Sequence, residues 1–275
     1  MVEILKAILF GIVEGVTEWL PISSTGHLIL LDRFIRLDVS DAFLEMFEVV
    51  IQFGAIMAVV LLFFRKLDPL DKSKSEKMRR RTWRLWGIVI ASVIPSGVLG
   101  ILLDDWMSEH LHNALVVSVM LILYGIGFIL MEKRNALRPA IFQSVYEMDL
   151  KTALLIGLFQ ALSLVPGTSR SGATILGAII LGVGRSAGAE FSFFMAIPTM
   201  LGASLVKAAG FVSSGVPITG LEVGILLTGC LVSFLTSMLV IRSLMAYVRD
   251  RSFAGFGVYR IILGMAVLGA TAFVK

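Results

Sequence analysis

Two polar strings interrupt an otherwise apolar chain: E-G-V-T-E-W-L-P-I-S-S-T-G-H from Glu14 to His27, and P-G-T-S-R-S-G-A-T from Pro166 to Thr174. Each brings proline, glycine, hydroxyls and charge into a hydrophobic run. In lipid every backbone polar group needs an internal partner, so such strings persist only where they face protein or a wet cavity. They decide the fold, because each cuts a helix in two, and they mark the expected active site.

The surrounding chain is 57% hydrophobic and 16% charged over 275 residues, with a mean hydropathy of +0.91. A soluble domain carries fewer apolar and more charged residues, so the chain reads as a polytopic membrane protein. Its start is expected to be retained rather than cleaved, since Glu3 precedes Lys6, and Glu14 and Glu18 interrupt the apolar run a signal peptide needs. A single cysteine, Cys230, leaves no disulfide framework and no cysteine-based metal site. The net charge of +4 is concentrated between Arg65 and Arg84. That is the signature of a cytoplasmic loop beside membrane spans, and no nucleic-acid partner is expected.

A helical crossing takes about 20 apolar residues, and six segments supply it, at about 44–64, 85–103, 113–131, 188–210, 220–243 and 255–274. Residues 3–36 and 150–182 do not. In the first, an apolar helix is expected to reach Pro21, break across Ile22 to Gly26 and resume as Leu28 to Phe34, with Arg33 and Arg36 ending it. In the second, Leu154 to Leu164 and Ala173 to Leu181 flank a break at Pro166 to Ser171. Both read as re-entrant hairpins. With the 65–84 loop cytoplasmic, parity makes the first hairpin enter from outside and the second from the cytoplasm. Loop 104–113 holds no Lys or Arg, as an outer loop should.

The halves also echo each other. Pro21 and Gly26 match Pro166 and Gly172, and Gly54-Ala55 match Gly202-Ala203, at offsets near 146 positions. The expected architecture is all-α: a single integral membrane domain of residues 1–275, built as an inverted-topology repeat of about 1–131 and about 150–275. It has six transmembrane helices plus two opposed re-entrant helical hairpins. Repeats of this kind meet near the bilayer midplane and aim broken-helix N-termini at an anionic ligand.

Ser23, Ser24, Thr25, Ser169 and Ser171 fall at or before the N-termini of the second half-helices. Free N–H groups, the positive helix end and hydroxyls there make an anion site, and two such ends facing each other suit a diphosphate. Gly26, Gly172 and Thr174 complete the expected substrate-binding set. Capping of a broken helix accounts for any one hydroxyl, but poorly for all of them together. Arg170 is the cation of the two strings, and its planar fork of donors suits phosphate oxygens. Glu14 and Glu18 share a helix face, where like charges repel. They read as ligands of a hard divalent cation, Mg²⁺ or Ca²⁺, or as base and acid. His27 lies three residues past Ser24, so either Ser24 attacks phosphorus with the imidazole as base or the imidazole itself attacks. Ser24 is the favoured nucleophile, with direct attack by water as a further route. Glu48, Gln52 and Gln160 are candidates for supporting the site residues from behind and Glu190 for an interface position, with a structural role favoured for all four.

Together with F-E-V-V-I-Q-F-G-A at Phe47 to Ala55 and E-F-S-F-F-M-A-I-P at Glu190 to Pro198, the two strings closely resemble the undecaprenyl-diphosphate phosphatases of the bacitracin-resistance type. The likeness covers nearly the whole chain, and both polar motifs are complete. It implies an enzyme of the bacterial plasma (inner) membrane that removes the terminal phosphate from undecaprenyl diphosphate. The product is the monophosphate carrier used for peptidoglycan and other cell-wall glycans. It further implies a site open to the outer face, metal binding or proton transfer by Glu14 and Glu18, attack by Ser24 or His27, and a phosphate grip by Arg170. A divalent metal, a polyprenyl diphosphate substrate, surrounding membrane lipid and a homodimer follow from the same likeness. The rival class is a secondary transporter or lipid flippase, because opposed broken helices are also a transporter plan. Two carboxylates, hydroxyls, an imidazole and an arginine in the two strings favour the enzyme.

Overall fold

A computed structural model describes residues 1–111, 113–135 and 139–272; for Thr25, Ile29, Asp32, Arg33, Asp104, Asp105, Ser108, Thr271 and Ala272 it describes the backbone alone. The first half holds α1 (Val2–Thr17), α2 (Ser24–Phe34), α3 (Asp41–Leu62), the short α4 (Phe64–Leu67), α5 (Glu76–Leu111) and α6 (Ala114–Asn135). The second holds α7 (Leu150–Ala161), a 3-10 turn at Leu162–Leu164, α8 (Arg170–Ile180), α9 (Arg185–Ser213), α10 (Gly220–Asp250) and α11 (Ala254–Ala272). No strand occurs among the described residues, and Phe142 and Val183 form an isolated bridge. The protein is therefore an all-α membrane protein. Five helices, α3, α5, α6, α9 and α10, are long and apolar enough to cross a bilayer. The sixth expected crossing coincides with α11, whose apolar part, Ala254–Ala270, ranks with the shorter helices α7 and α8.

Helix ends differ from the sequence reading in ways that matter for the site. α1 stops at Thr17, short of Pro21, and Glu18 closes it with its N–H on Glu14 O. The residue before a proline avoids helical dihedrals, so the chain turns through Trp19–Ile22 and α2 begins at Ser24. Thr25 and Gly26 thus belong to the second half-helix and not to the break. The basic stretch Lys77 to Arg84 is likewise helical, forming the first turns of α5. His110 lies on α5 and stacks on Trp106 at 5.0 Å; His112 is outside the described residues.

Packing runs between the halves. α1 lies on α10, α7 on α5, α3 on both α9 and α10, and α6 on α11. Lipid offers no hydrophobic push between helices, so contact relies on small residues that let backbones approach. A Cβ on Gly11 would stand 2.8 Å from Gly229 O, and one on Gly125 or Gly257 would stand 2.6 Å from the carbonyl of the other. Gly157 sits against Ser92 O and Gly54 against Cys230 O more closely still. The outward faces stay apolar: Leu227, Leu231, Leu235 and Leu239 form an exposed line along α10, one helical turn apart. Such a stripe suits hydrocarbon and not water.

The echo of Gly54 in Gly202 is not a packing echo, because a Cβ on Gly202 would meet nothing within 4 Å. Gly54→Ala should therefore destabilise the detergent-solubilised protein by about 1–3 kcal/mol through overpacking. Gly202→Ala, inside α9 with room for the methyl, should instead stabilise it by about 0.5–1 kcal/mol. Thermal unfolding of the two variants side by side checks both.

Candidate active site

The two second half-helices begin alike. Ser23 precedes α2 and Ser169 precedes α8, and among the described residues these are the non-glycine positions with positive φ, at 74° and 70°. Each hydroxyl accepts from the amide three residues on, Gly26 N–H at 3.4 Å and Gly172 N–H at 3.1 Å. A left-handed serine costs on the order of 1–3 kcal/mol and persists only where its surroundings over-determine it. In return the first residue of each half-helix, Ser24 or Arg170, is turned in a defined direction.

Both turn toward Glu18. Its Oε2 accepts from Ser24 Oγ at 2.9 Å, and its Oε1 accepts from Arg170 Nη2 at 2.9 Å. Arg170 also donates through Nη1 to Ser192 O at 2.8 Å, and its guanidinium lies 5.5 Å over the Trp19 ring. Its Nε is buried and unpaired. Ser171 Oγ lies 2.9 Å from Glu18 O and 3.1 Å from Leu20 O, pinning the turn of the first string to the start of α8. Thr174 Oγ1 is 2.6 Å from Ser192 Oγ. Glu14 is fully buried, and neither of its oxygens has a hydrogen-bond partner of standard geometry. The charged groups facing it are Glu18, Glu48 and Arg170.

Glu14, Glu18, Ser24, Ser169, Arg170, Ser171 and Thr174 thus form one cluster. His27 is turned aside from it. Its Nδ1 is 2.7 Å from Ser23 O, a carbonyl that can only accept, so Nδ1 carries the proton and Nε2 accepts from Tyr259 OH at 2.7 Å. The two rings stack at 5.7 Å. The expected Ser24–His27 pairing is replaced by Ser24–Glu18. Gly26 and Gly172 have packing reasons: a Cβ would come within 3.2 Å of Leu121 Cδ1 and 2.9 Å of Arg260 Nη1. The Thr25 side chain lies outside what is described. Gln160 bonds Ser96 and Thr199, and Glu190 pairs with Lys66 at 2.6 Å.

Four groups were missed. Trp19 and Ser192 hold Arg170, Tyr259 holds His27, and Arg260 is fully buried beside both breaks. Arg260 donates through Nη1 to Pro21 O at 3.1 Å and through Nη2 to Gly167 O and Thr168 O, each at 2.9 Å. A charge inside the apolar segment 255–274 was the available signal.

No group of three or more His, Cys, Asp or Glu side chains is placed to hold a metal among the described residues. The two unpaired oxygens of Glu14 are the donors that suit a hard cation, since both oxygens of Glu18 are taken. Two cavities lie elsewhere: one of about 430 Å³ near Arg134, Arg185 and Arg249, and one of about 650 Å³ between Leu20, Leu239 and Phe256. Neither is lined by Glu18, Ser24 or Arg170.

The family model described as bacitracin resistance protein BacA matches residues 7–266. The chain is 53% identical over 269 residues to an undecaprenyl-diphosphatase of Lactiplantibacillus plantarum, covering 98% of both chains. It is 55% identical over 269 residues to an undecaprenyl-diphosphatase of Limosilactobacillus fermentum, covering 98% of this chain and 97% of that one. A third protein of the same name, from Enterococcus faecalis, is 52% identical over 273 residues, with 98% of each chain covered. Every residue of the cluster falls within the matched region, and the chain belongs to the bacitracin resistance protein BacA family.

Proposed function

We propose that the protein is a multi-pass enzyme of the bacterial plasma membrane that hydrolyses undecaprenyl diphosphate to undecaprenyl phosphate and phosphate. It thereby recycles the lipid carrier for cell-wall glycans. The observation that carries this reading is the meeting of Ser24 and Arg170, the first residues of two half-helices, on the two oxygens of Glu18. The names of the close relatives point to the same reaction.

The fold is an inverted repeat of six crossings and two opposed hairpins, and the exchange of partners between halves supports it. α1 packs on α10 as α7 packs on α5, α2 touches α11 as α8 touches α6, and α3–α9 and α6–α11 pair each element with its counterpart. The serine caps at 23 and 169 and the close-packed glycines at 11 and 157 recur at the same offset. The concentration of Lys and Arg between residues 65 and 84 supports a cytoplasmic position for that end and a first break that opens toward the outer face. The protein acts as a homodimer in this reading.

Phosphoryl transfer asks for position and charge neutralisation above all. The diphosphate enters between the two half-helix starts while the prenyl tail stays in lipid. Its terminal phosphate takes the Arg170 fork from Glu18, which frees that carboxylate to receive the Ser24 proton. Ser24 Oγ bonds to phosphorus as the bridging P–O bond breaks and undecaprenyl phosphate leaves. Water then attacks the phosphoserine, releasing phosphate and returning the proton to Ser24. His27 holds the Ser23 carbonyl and so the direction of α2. Glu14 would hold a divalent cation, which would supply further neutralisation of phosphate charge.

Purified protein in detergent should release phosphate from undecaprenyl diphosphate. Arg170→Lys, which keeps the charge and loses the fork, should lower kcat by about 10²–10³-fold. Release at the wild-type rate by that variant would remove Arg170 from the reaction. Rapid quenching with substrate labelled at the terminal phosphate should place the label on Ser24; label on His27 alone would assign the attack to the imidazole. A chelator should abolish turnover and added Mg²⁺ or Ca²⁺ restore it. Glu14→Gln should raise the metal concentration needed by about 10–100-fold, read from activity titrations.

A further inference from the structure

Arg260 is a fully buried arginine that bonds backbone carbonyls and, among the described residues, no carboxylate. An unpaired buried cation is unfavourable, and apolar residues of similar size commonly replace buried charges without loss of stability. Its donors are used on the breaks instead. Nη1 reaches Pro21 O in the first, Nη2 reaches Gly167 O and Thr168 O in the second, and Nε lies 3.5 Å from Leu121 O. The face of Tyr124, 5.4 Å away, covers the cation. These carbonyls stand just upstream of Ser23 and Ser169, where the chain leaves the helix and lacks helical donors. A weakly hydrated planar fork is the side chain that can serve three such acceptors at once in a dry site.

The element carrying Arg260 is itself fixed. α11 crosses α6 at Gly125 and Gly257, and a Cβ on Gly264 would be 2.9 Å from Ser118 O, so the helix has little room to slide. The preceding residue, Tyr259, bonds His27, which in turn bonds Ser23 O. Two adjacent residues of one helix therefore hold the start of α2 and the approach to α8.

We infer that Arg260 is a positioning residue: it keeps the two breaks at one separation, and so sets where Ser24 and Arg170 stand relative to Glu18. The inference rests on the roles given to those residues under the proposed function. Full-length Arg260→Lys and Arg260→Met proteins, purified in detergent, test it through kcat and KM on undecaprenyl diphosphate. A second readout does not depend on catalysis: the distance distribution between spin labels at the exposed positions Phe34 and Ile141, after Cys230→Ala. These positions follow α2 and the segment against Gly182.

Arg260→Met is expected to fold, to lower kcat by roughly 10–100-fold with KM within about twofold, and to broaden the distance distribution. Arg260→Lys should recover part of both. A folded Arg260→Met protein with wild-type kcat overturns the inference, as does failure of both variants to fold, which would make Arg260 a stability residue. If wild-type protein releases no phosphate while the methionine variant still broadens the distances, the enzymatic reading falls and the clamp between the breaks stands.

Discussion

The carboxylate of Glu18 is held by two helix starts that come from opposite halves of the chain. Ser24 takes one oxygen and Arg170, 152 positions away from Glu18, takes the other. Burying such a pair costs several kcal/mol per ion unless each lone pair and proton is satisfied, and removing one partner from a buried pair typically destabilises by about 3–5 kcal/mol. The two breaks are therefore not free to separate. The same contact leaves a guanidinium and a hydroxyl side by side at two positive helix ends, which is where an incoming phosphate is best received.

Everything around that contact serves to hold it in direction. The left-handed serines at 23 and 169 aim the first residue of each half-helix. Ser171 ties the second half-helix to the carbonyls of Glu18 and Leu20. Trp19 and Ser192 keep the Arg170 fork in plane, and Arg260 supplies donors to the carbonyls that the breaks leave without helical partners. Tight glycine crossings, at Gly11, Gly125 and Gly157 among others, set the helices that carry these groups. Glu14, buried with both oxygens unpaired, is the exception. That open valence is what the proposed chemistry uses.

Broken helices also occur in transporters, so architecture alone says little about activity. What separates the two here is local. A transport site needs to bind and release its anion, whereas in the proposed function a hydroxyl on a carboxylate, beside a guanidinium, serves to break a bond. Membership of the BacA family agrees with that local chemistry.

The linear chain by itself determined the membrane class, five of the apolar spans and the location of the polar groups that cluster. Hydropathy and the lipid's intolerance of unpaired polar groups act over 10–20 residues and are written locally. It also singled out Glu14, Glu18, Ser24 and Arg170, because charge and hydroxyls are conspicuous in an apolar run. The partners of those groups were decided by tertiary structure. Proximity along the string suggested His27 for Ser24, yet the imidazole turns to Tyr259, 232 positions on, and Glu18 takes the hydroxyl. α1 ends at Thr17 and not at Pro21, which moves Thr25 and Gly26 into the second half-helix. Arg260 stood in plain view as a charge within an apolar segment, but its task is defined by carbonyls that only the crossing of α6 and α11 brings within reach. Local sequence sets which segments are helical and which residues are polar; the direction each side chain faces follows from how closely the helices pack, and that is a property of the whole fold.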